Sequence, residues 1–365
     1  MDERKNLVIL FGGRSGEHPI SCVTAAGVLE AVDRNRFRVI AVGIDRNGGW
    51  HLVSDDPNNW RKQGDQLPEV TGGQGAIALP RSTVDRQLRV HYPNGTEELL
   101  GEVDVIFPLL HGPYGEDGTL QGALELLDIA YVGPGVLASS VGMDKHFTKI
   151  VLEGEGIPTA PHILVRPGQE IDLDSVKLLG LPLFVKPARA GSSLGISKVT
   201  DLADLDRAVA AAQEHDPKVL IEGAIVGREI ECAVLGGRGG AAPRTSLPGE
   251  IVVVSGNNDF YDFETKYLNT DGAQLHCPAD LPEHLIERVQ QTAARTFTAL
   301  DCEGLARVDV FVTEDERVIV NEINTMPGFT PISMFPKLWM ASGMDYTELV
   351  SELVELALER PTSLR

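Results

Sequence analysis

Ala306-Arg-Val-Asp-Val-Phe-Val312 and Arg317-Val-Ile-Val-Asn-Glu-Ile-Asn-Thr-Met-Pro-Gly328 read as the two arms of a β-hairpin that carries acids where apolar residues are expected. Such departures from strand patterning concentrate at functional sites. With Thr313-Glu-Asp-Glu316 as the turn, Val312 faces Arg317, Asp309 lies opposite Val320 and Arg307 opposite Glu322. Side chains alternate across a strand, so Arg307, Asp309, Glu322 and Asn324 share one face. Val308, Val310 and Ile319 then supply the core on the other face, while Val318 and Val320 make the acidic face partly apolar. Three oxygen-donor side chains in a half-buried groove suit a hard cation such as Mg2+, which shares its remaining positions with phosphate and water. A surface salt-bridge ladder would use the same residues, but charges in a groove of this kind require a partner or a metal. The face points to phosphoryl chemistry.

At 365 residues the chain is too long for one compact core, and two or three domains are expected. Its 32 basic and 53 acidic residues give a net charge of −21, and no basic stripe interrupts the excess, which argues against a nucleic-acid partner. Local positive charge for a nucleotide must then come from a few placed lysines and a metal. Cys22, Cys232, Cys277 and Cys302 are scattered without a CxxC pair, which argues against zinc or a disulfide framework and fits a reducing cytoplasm. Neither a secretory leader nor a membrane-spanning segment is legible.

Outward from the hairpin, the chain alternates strands and helices. The strand Asn6-Leu-Val-Ile-Leu-Phe11, the turn Gly12-Gly-Arg-Ser-Gly16, a helix over 20–32 and a strand over 38–44 form a parallel βαβ unit. Residues 54–101 are polar and rich in Gly and Pro, with a hairpin signal at Tyr92-Pro-Asn-Gly-Thr96; they read as an elaboration with little chemistry. A strand at 104–111 leads through Gly112-Pro-Tyr-Gly-Glu-Asp-Gly118 into a helix and a return at 130–133. A second unit opens near Ser139 with one helix carrying Asp144, Lys145 and Lys149. It continues through the strand Leu183-Phe-Val-Lys-Pro187, a small-residue loop at 188–196, a short helix after Thr200 and a strand over 218–223. Strands at 229–236 and 249–254, a helix over 283–300, the acidic hairpin and a terminal helix from about Asp345 complete an α+β remainder.

The Gly12 turn matches a dinucleotide fingerprint only in part, because Phe11 stands where the first glycine of GxGxxG belongs; taken alone it is a tight turn. Gly191-Ser-Ser-Leu-Gly195 fits the GxSxG pattern of serine hydrolases, but the following Ile196-Ser-Lys-Val199 reads as a strand, and a nucleophile elbow needs a helix there. A strand-loop-strand of small residues suits a flap whose N–H groups close over phosphates, with Lys186 as the fixed positive charge. Glu222 and Glu229 stand at strand ends where they could bind adenine and ribose hydroxyls or simply face solvent.

Together these motifs resemble the D-alanine:D-alanine ligases, ATP-grasp enzymes of peptidoglycan precursor synthesis, over nearly the whole chain. The resemblance is carried by Phe11-Gly-Gly-Arg-Ser-Gly-Glu-His18 with Ser21, His111-Gly-Pro-Tyr-Gly-Glu-Asp-Gly-Thr-Leu-Gln-Gly122, Phe184-Val-Lys-Pro187, Gly191-Ser-Ser-Leu-Gly195, Tyr261-Asp-Phe-Glu-Thr-Lys-Tyr267 and Asn321-Glu-Ile-Asn-Thr-Met-Pro-Gly328. It implies a three-domain ATP-grasp α/β architecture: an N-terminal parallel βαβ domain at 1–138 and two α+β units at 139–225 and 226–365 that enclose the nucleotide. It further implies two Mg2+ ions, or Mn2+ in their place, on Asp309, Glu322 and Asn324, with Glu322 bridging. ATP, the co-substrate, would be held by Lys145, Lys186 and Lys266 at its phosphates and by Glu222 and Glu229 at its adenosine end.

By the same resemblance Glu17 pairs with the ammonium of the first D-alanine, and Ser192 and Tyr267 link that carboxylate to the active-site loop. Arg307 and the Gly328 N–H face the oxyanion. His111, Ser333 and Met334 complete the substrate side, with Met334 where the family more often has Leu. The implied partners are ATP and D-alanine, with neither nucleic acid nor membrane, and a homodimer is compatible. Competing readings are an NAD-binding oxidoreductase, which leaves the acidic face without a purpose, a D-alanine:D-lactate ligase, and an ATP-binding paralogue without ligase activity.

Overall fold

The computed structural model describes residues 4–191, 194–253 and 273–360, and within them three sheets carry the architecture. The first is built on Lys5–Gly12, which pairs in parallel with Phe37–Ile44 and with Val105–Pro108. Its apolar run, fully buried from Leu7 to Phe11, is what a parallel strand covered on both faces requires. Leu7, Ile9 and Phe11 face the helix His18–Ala31, and Val8 and Leu10 face the helix Thr119–Leu126. The elaboration at 54–101 extends this sheet with antiparallel strands at Gly75–Ala78, Gln87–His91 and Glu97–Glu102. The expected hairpin is there, closed by the Tyr92 N–H on Thr96 O at 2.9 Å, with Gly95 at φ +84°.

The second sheet is antiparallel, in the order Ser197–Val199, Leu183–Pro187, Val219–Gly223, His162–Val165. The single helix expected around 139–150 is two, Val136–Met143 and Lys145–Gly154, broken at Asp144. The Asp144 side chain caps the second helix by accepting the His146 and Phe147 N–H groups, a stronger local preference than continuing the helix through an Asp. Lys145 thereby stands in a first turn, its own N–H donating to Ala188 O at 3.0 Å. The helix Met334–Ala341 contains Pro336, tolerated because N–H groups in a first turn have no intrahelical partner.

The third sheet holds the acidic hairpin, Leu305–Val312 against Val318–Asn324, beside Arg228–Leu235 and under the helix Glu283–Ala299. Its register differs from the sequence expectation. Val312 pairs with Val318 rather than Arg317, because the turn takes one more residue and closes through the Thr313 N–H on Arg317 O. A bulge at Asn321 adds a second residue, so Asp309 lies opposite Glu322 and Arg307 opposite Asn324. The two one-residue shifts sum to two, which keeps the four polar side chains on one face. Between turn and bulge the shift is one, and there the faces reverse: Val318 and Val320 join Val308 and Val310 in the core, while Ile319 pairs with Phe311.

The terminal helix Tyr346–Glu359 does not stay with the third sheet. Its Leu349, Val350, Leu353 and Val354 pack into the same core as Leu7, Ile9 and Phe11. Among the described residues, no helix is long and apolar enough to cross a membrane.

Candidate active site

A cleft of about 640 Å³ lies where the three sheets meet. Of the residues expected at the site, Glu17, His111, Lys145, Arg307, Glu322, Asn324, Gly328, Ser333 and Met334 line it. Asp309 sits just behind, on the same hairpin. Lys186 and Glu222 are buried in the second sheet, and Glu229 is exposed near the start of its strand. Ser192, Lys266 and Tyr267 lie outside the described residues.

The hairpin holds its charges in pairs. Arg307 donates to both oxygens of Asp309, Nε to Oδ1 at 2.7 Å and Nη2 to Oδ2 at 2.6 Å, and Asn324 Nδ2 donates to Asp309 Oδ2 at 2.9 Å. On the next strand Glu231, cross-paired with Asp309, places Oε2 3.1 Å from Arg307 Nε. Burial alone would lower the Arg307 pKa, but Asp309 and Glu231 together hold it well above the ordinary value. Glu322 faces Lys145 Nζ at 3.8 Å. Two carboxylates and a carboxamide therefore converge with cationic groups beside them, a hard-oxygen donor set that fits Mg2+. Because the third donor is Asn324, no group of three His, Cys, Asp or Glu gathers among the described residues.

Behind Lys145, a buried triad crosses the second sheet. Lys186 Nζ lies 2.6 Å from Glu222 Oε2, and Lys149 Nζ lies 3.2 Å from Glu222 Oε1. Burial would raise the Glu222 carboxyl, yet the two ammonium groups hold it below its usual range. The sequence reading left Lys149 without a role, although its i,i+4 spacing from Lys145 places both on one helix face.

The flap is framed as expected. Leu183–Pro187 and Ser197–Val199 pair antiparallel, a strand-loop-strand with no helix after the serines, which removes the nucleophile-elbow reading. Lys145 Nζ donates to Ala190 O at 2.7 Å, and Arg189 is fixed by Asp216 through Nε and Nη2.

On the first-sheet side, Gly12 and Gly13 take φ of +91° and +94°, and Ser21 Oγ accepts the Gly12 N–H while donating to Leu109 O. Gly112, at φ +74°, takes a left-handed conformation that favours glycine, and its open side lies against Glu17 Oε2, which a Cβ there would meet at 2.6 Å. Glu116 was quoted in the motif but assigned nothing. It lines the cleft, accepts the Gly112 and Met326 N–H groups, and is pushed up to about 8 by burial and by Glu17. Lys62 and Leu67 also reach the cleft, so the 54–101 elaboration, expected to carry little chemistry, contributes part of its wall.

Comparisons with known proteins agree along the whole chain. The profile described as D-ala D-ala ligase N-terminus matches residues 6–134, and the one described as D-ala D-ala ligase C-terminus matches residues 151–355. A D-alanine–D-alanine ligase of Arthrobacter sp. (strain FB24) is 56% identical over 99% of this chain and 96% of its own. The solved D-alanine-D-alanine ligase of Coxiella burnetii superposes with a TM-score of 0.81 at 35% identity, covering 98% of this chain and 95% of that one. The VanG D-Ala:D-Ser ligase of Enterococcus faecalis superposes at 0.82 and 32% identity, covering 97% and 100%.

Proposed function

The chain belongs to the D-alanine–D-alanine ligase family, and from that premise we propose how its cleft joins two D-alanine molecules while ATP becomes ADP and phosphate. A carboxylate is a poor electrophile, so the first D-alanine is activated by taking the γ-phosphoryl group of ATP. Glu17 holds its ammonium. Lys145 and Lys186 neutralise the phosphates, Lys266 reaches toward the γ-phosphate, and Glu222 and Glu229 hold the adenosine end. Two Mg2+ ions on Asp309, Glu322 and Asn324, with Glu322 shared, would screen the charge on both reacting anions when bound.

The acyl phosphate would hydrolyse in open water, and the flap at 188–196 excludes it. Ser192 and Tyr267 tie that flap to Glu17. The second D-alanine is gripped through its carboxylate by Ser333 and Met334, with His111 nearby. Its amine attacks the acyl carbon, the oxyanion rests on Arg307 and the Gly328 N–H, and phosphate leaves. Units at 1–138, 139–225 and 226–365 carry these parts, the last returning its terminal helix to the first sheet. The enzyme acts in the cytoplasm on small molecules, engaging neither nucleic acid nor membrane, and a homodimer is compatible with this work.

The observation that carries this reading is the convergence of Glu17, Lys145, Arg307, Glu322, Asn324 and Ser333 on one cleft. Phosphate release from MgATP tests it, with D-alanine, with L-alanine and with no amino acid. Release that depends on D-alanine is expected. Equal release in all three would make the chain an ATP-binding protein without ligase activity.

A further inference from the structure

The segment that carries Gly328 is hydrogen-bonded from the first-sheet side on both sides of Met326. His111 Nδ1 donates to Met326 O at 3.1 Å, and the Met326 N–H donates to Glu116 Oε1 at 3.1 Å. A carbonyl only accepts, so Nδ1 carries the proton of the neutral ring, and Nε2 is left to accept from Thr24 Oγ1 at 3.2 Å. Burial holds the His111 pKa below the ordinary imidazole range against the pull of Glu17, which keeps the ring neutral and this tautomer in place. Both arms are themselves anchored. His111 O accepts from Ser15 Oγ at 2.7 Å, and Glu116 Oε2 accepts the Gly112 N–H at 2.5 Å. Met326 is 7% exposed and packs into the core shared with Phe107 and Phe329.

We propose that His111 and Glu116 act as a two-point clamp on Met326 that aims the Gly328 N–H at the oxygen of the reacting carbonyl, making both of them positioning residues for amide formation. This rests on the oxyanion role given above to Gly328. The backbone geometry carries the argument. The Met326 C=O belongs to the planar peptide joining Met326 to Pro327, and the Gly328 N–H belongs to the next peptide. Only the φ and ψ of Pro327 separate the two planes, and the pyrrolidine ring fixes φ. Once His111 and Glu116 fix Met326 on both sides, one soft torsion remains between the clamp and the oxyanion donor. The same 111–116 loop lies against Glu17, so the groups that bind the first substrate and those that aim the oxyanion donor share one support.

The consequence is a split between the two chemical steps. Phosphoryl transfer to the first D-alanine does not need the Gly328 N–H, whereas the tetrahedral oxyanion does. A loosened clamp therefore lets acyl phosphate form and then lose its race to water, which attacks the acyl carbon, releases phosphate and regenerates D-alanine. Removing an oxyanion donor costs on the order of 10²–10³ in rate, so a misaimed one is expected to cost about tenfold.

The test measures phosphate released against dipeptide formed, with full-length protein, MgATP and D-alanine. Glu116→Ala and His111→Leu remove one arm each. Glu116→Gln keeps one carbonyl oxygen for two N–H donors, and His111→Asn keeps a donor near the Nδ1 position. Equal amounts are expected from the wild type, and an intermediate excess of phosphate from Glu116→Gln and His111→Asn. About a tenfold excess is expected from Glu116→Ala and His111→Leu, with KM for ATP within about twofold of wild type. Glu116→Gln conserves volume, so the comparison stands even if another variant does not fold. Equal amounts from Glu116→Gln and from every other folded variant, or a KM for ATP rising in step with the excess, would overturn the clamp. A wild type that makes no dipeptide would remove the functional reading instead.

Discussion

Glu322 separates a metal-binding face from an ion-pair ladder, because its removal has opposite consequences in the two cases. Glu322→Gln keeps the shape and loses the charge. If Glu322 holds Mg2+ on this face, the variant is inactive, with turnover down by about 10² or more while thermal unfolding shifts by only a few degrees. Near-normal Mg-dependent turnover would leave the hairpin a structural ladder. Glu116 makes a different prediction, on protons. Its carboxyl is raised from 4.5 to about 8, so between those values the folded chain holds a proton that the unfolded chain has lost. Its contribution to stability is therefore greatest below 4.5 and declines as pH rises toward 8. A D-alanine ammonium placed beside Glu17 and Glu116 favours the ionised form, so binding at pH 7 should release protons. Calorimetry in two buffers of different ionisation enthalpy reads this directly, and Glu116→Gln should abolish the difference. Arg307, Asp309, Glu322 and Asn324 were legible because they break a strand pattern within twenty residues of one another. Glu116, Glu231 and Lys149 break no pattern; each is defined by a partner on another element, as Glu116 is by Met326.

Strand alternation showed which hairpin residues share a face, yet the pairing itself was misread, and the reason is physical. Alternation is a parity, and parity survives an even shift. The longer turn and the bulge at Asn321 each add one residue, so the acids kept their common face while Val318, Ile319 and Val320 exchanged sides. Deleting Asn321 removes the bulge and turns Glu322 and Asn324 toward Val289 and Val308, where burying them unpaired costs several kcal/mol. The deletion should fail to fold or melt far below wild type, whereas Asn321→Gly, which keeps the residue count, should stay folded. A deletion variant with wild-type melting and turnover would show that the bulge does not set the face. The break at Asp144 is hidden in the sequence for a related reason: an Asp in an apolar helical pattern is tolerated in the interior or caps a new helix, and the choice shows in space, where its carboxylate accepts the His146 and Phe147 N–H groups and the Lys145 N–H turns to Ala188 O.

At the scale of the whole molecule, the order of strands and helices was readable, but not which sheet each amphipathic helix covers. Tyr346–Glu359 shows an apolar face at helical spacing, and that face meets Leu7, Ile9 and Phe11 more than 300 residues earlier. Closing the chain in this way brings the Glu17 turn, the Lys145 helix and the acidic hairpin around one cleft. In the proposed mechanism this cleft activates one D-alanine as an acyl phosphate before joining it to another. D-alanine labelled with heavy oxygen in its carboxylate tests this step, by mass analysis of the phosphate released with each dipeptide. Attack of the carboxylate on the γ-phosphorus leaves one carboxylate oxygen on phosphorus when the amine later displaces phosphate. One heavy oxygen is expected in each phosphate released from fully labelled D-alanine; phosphate carrying none, with dipeptide still formed, would rule out the acyl phosphate.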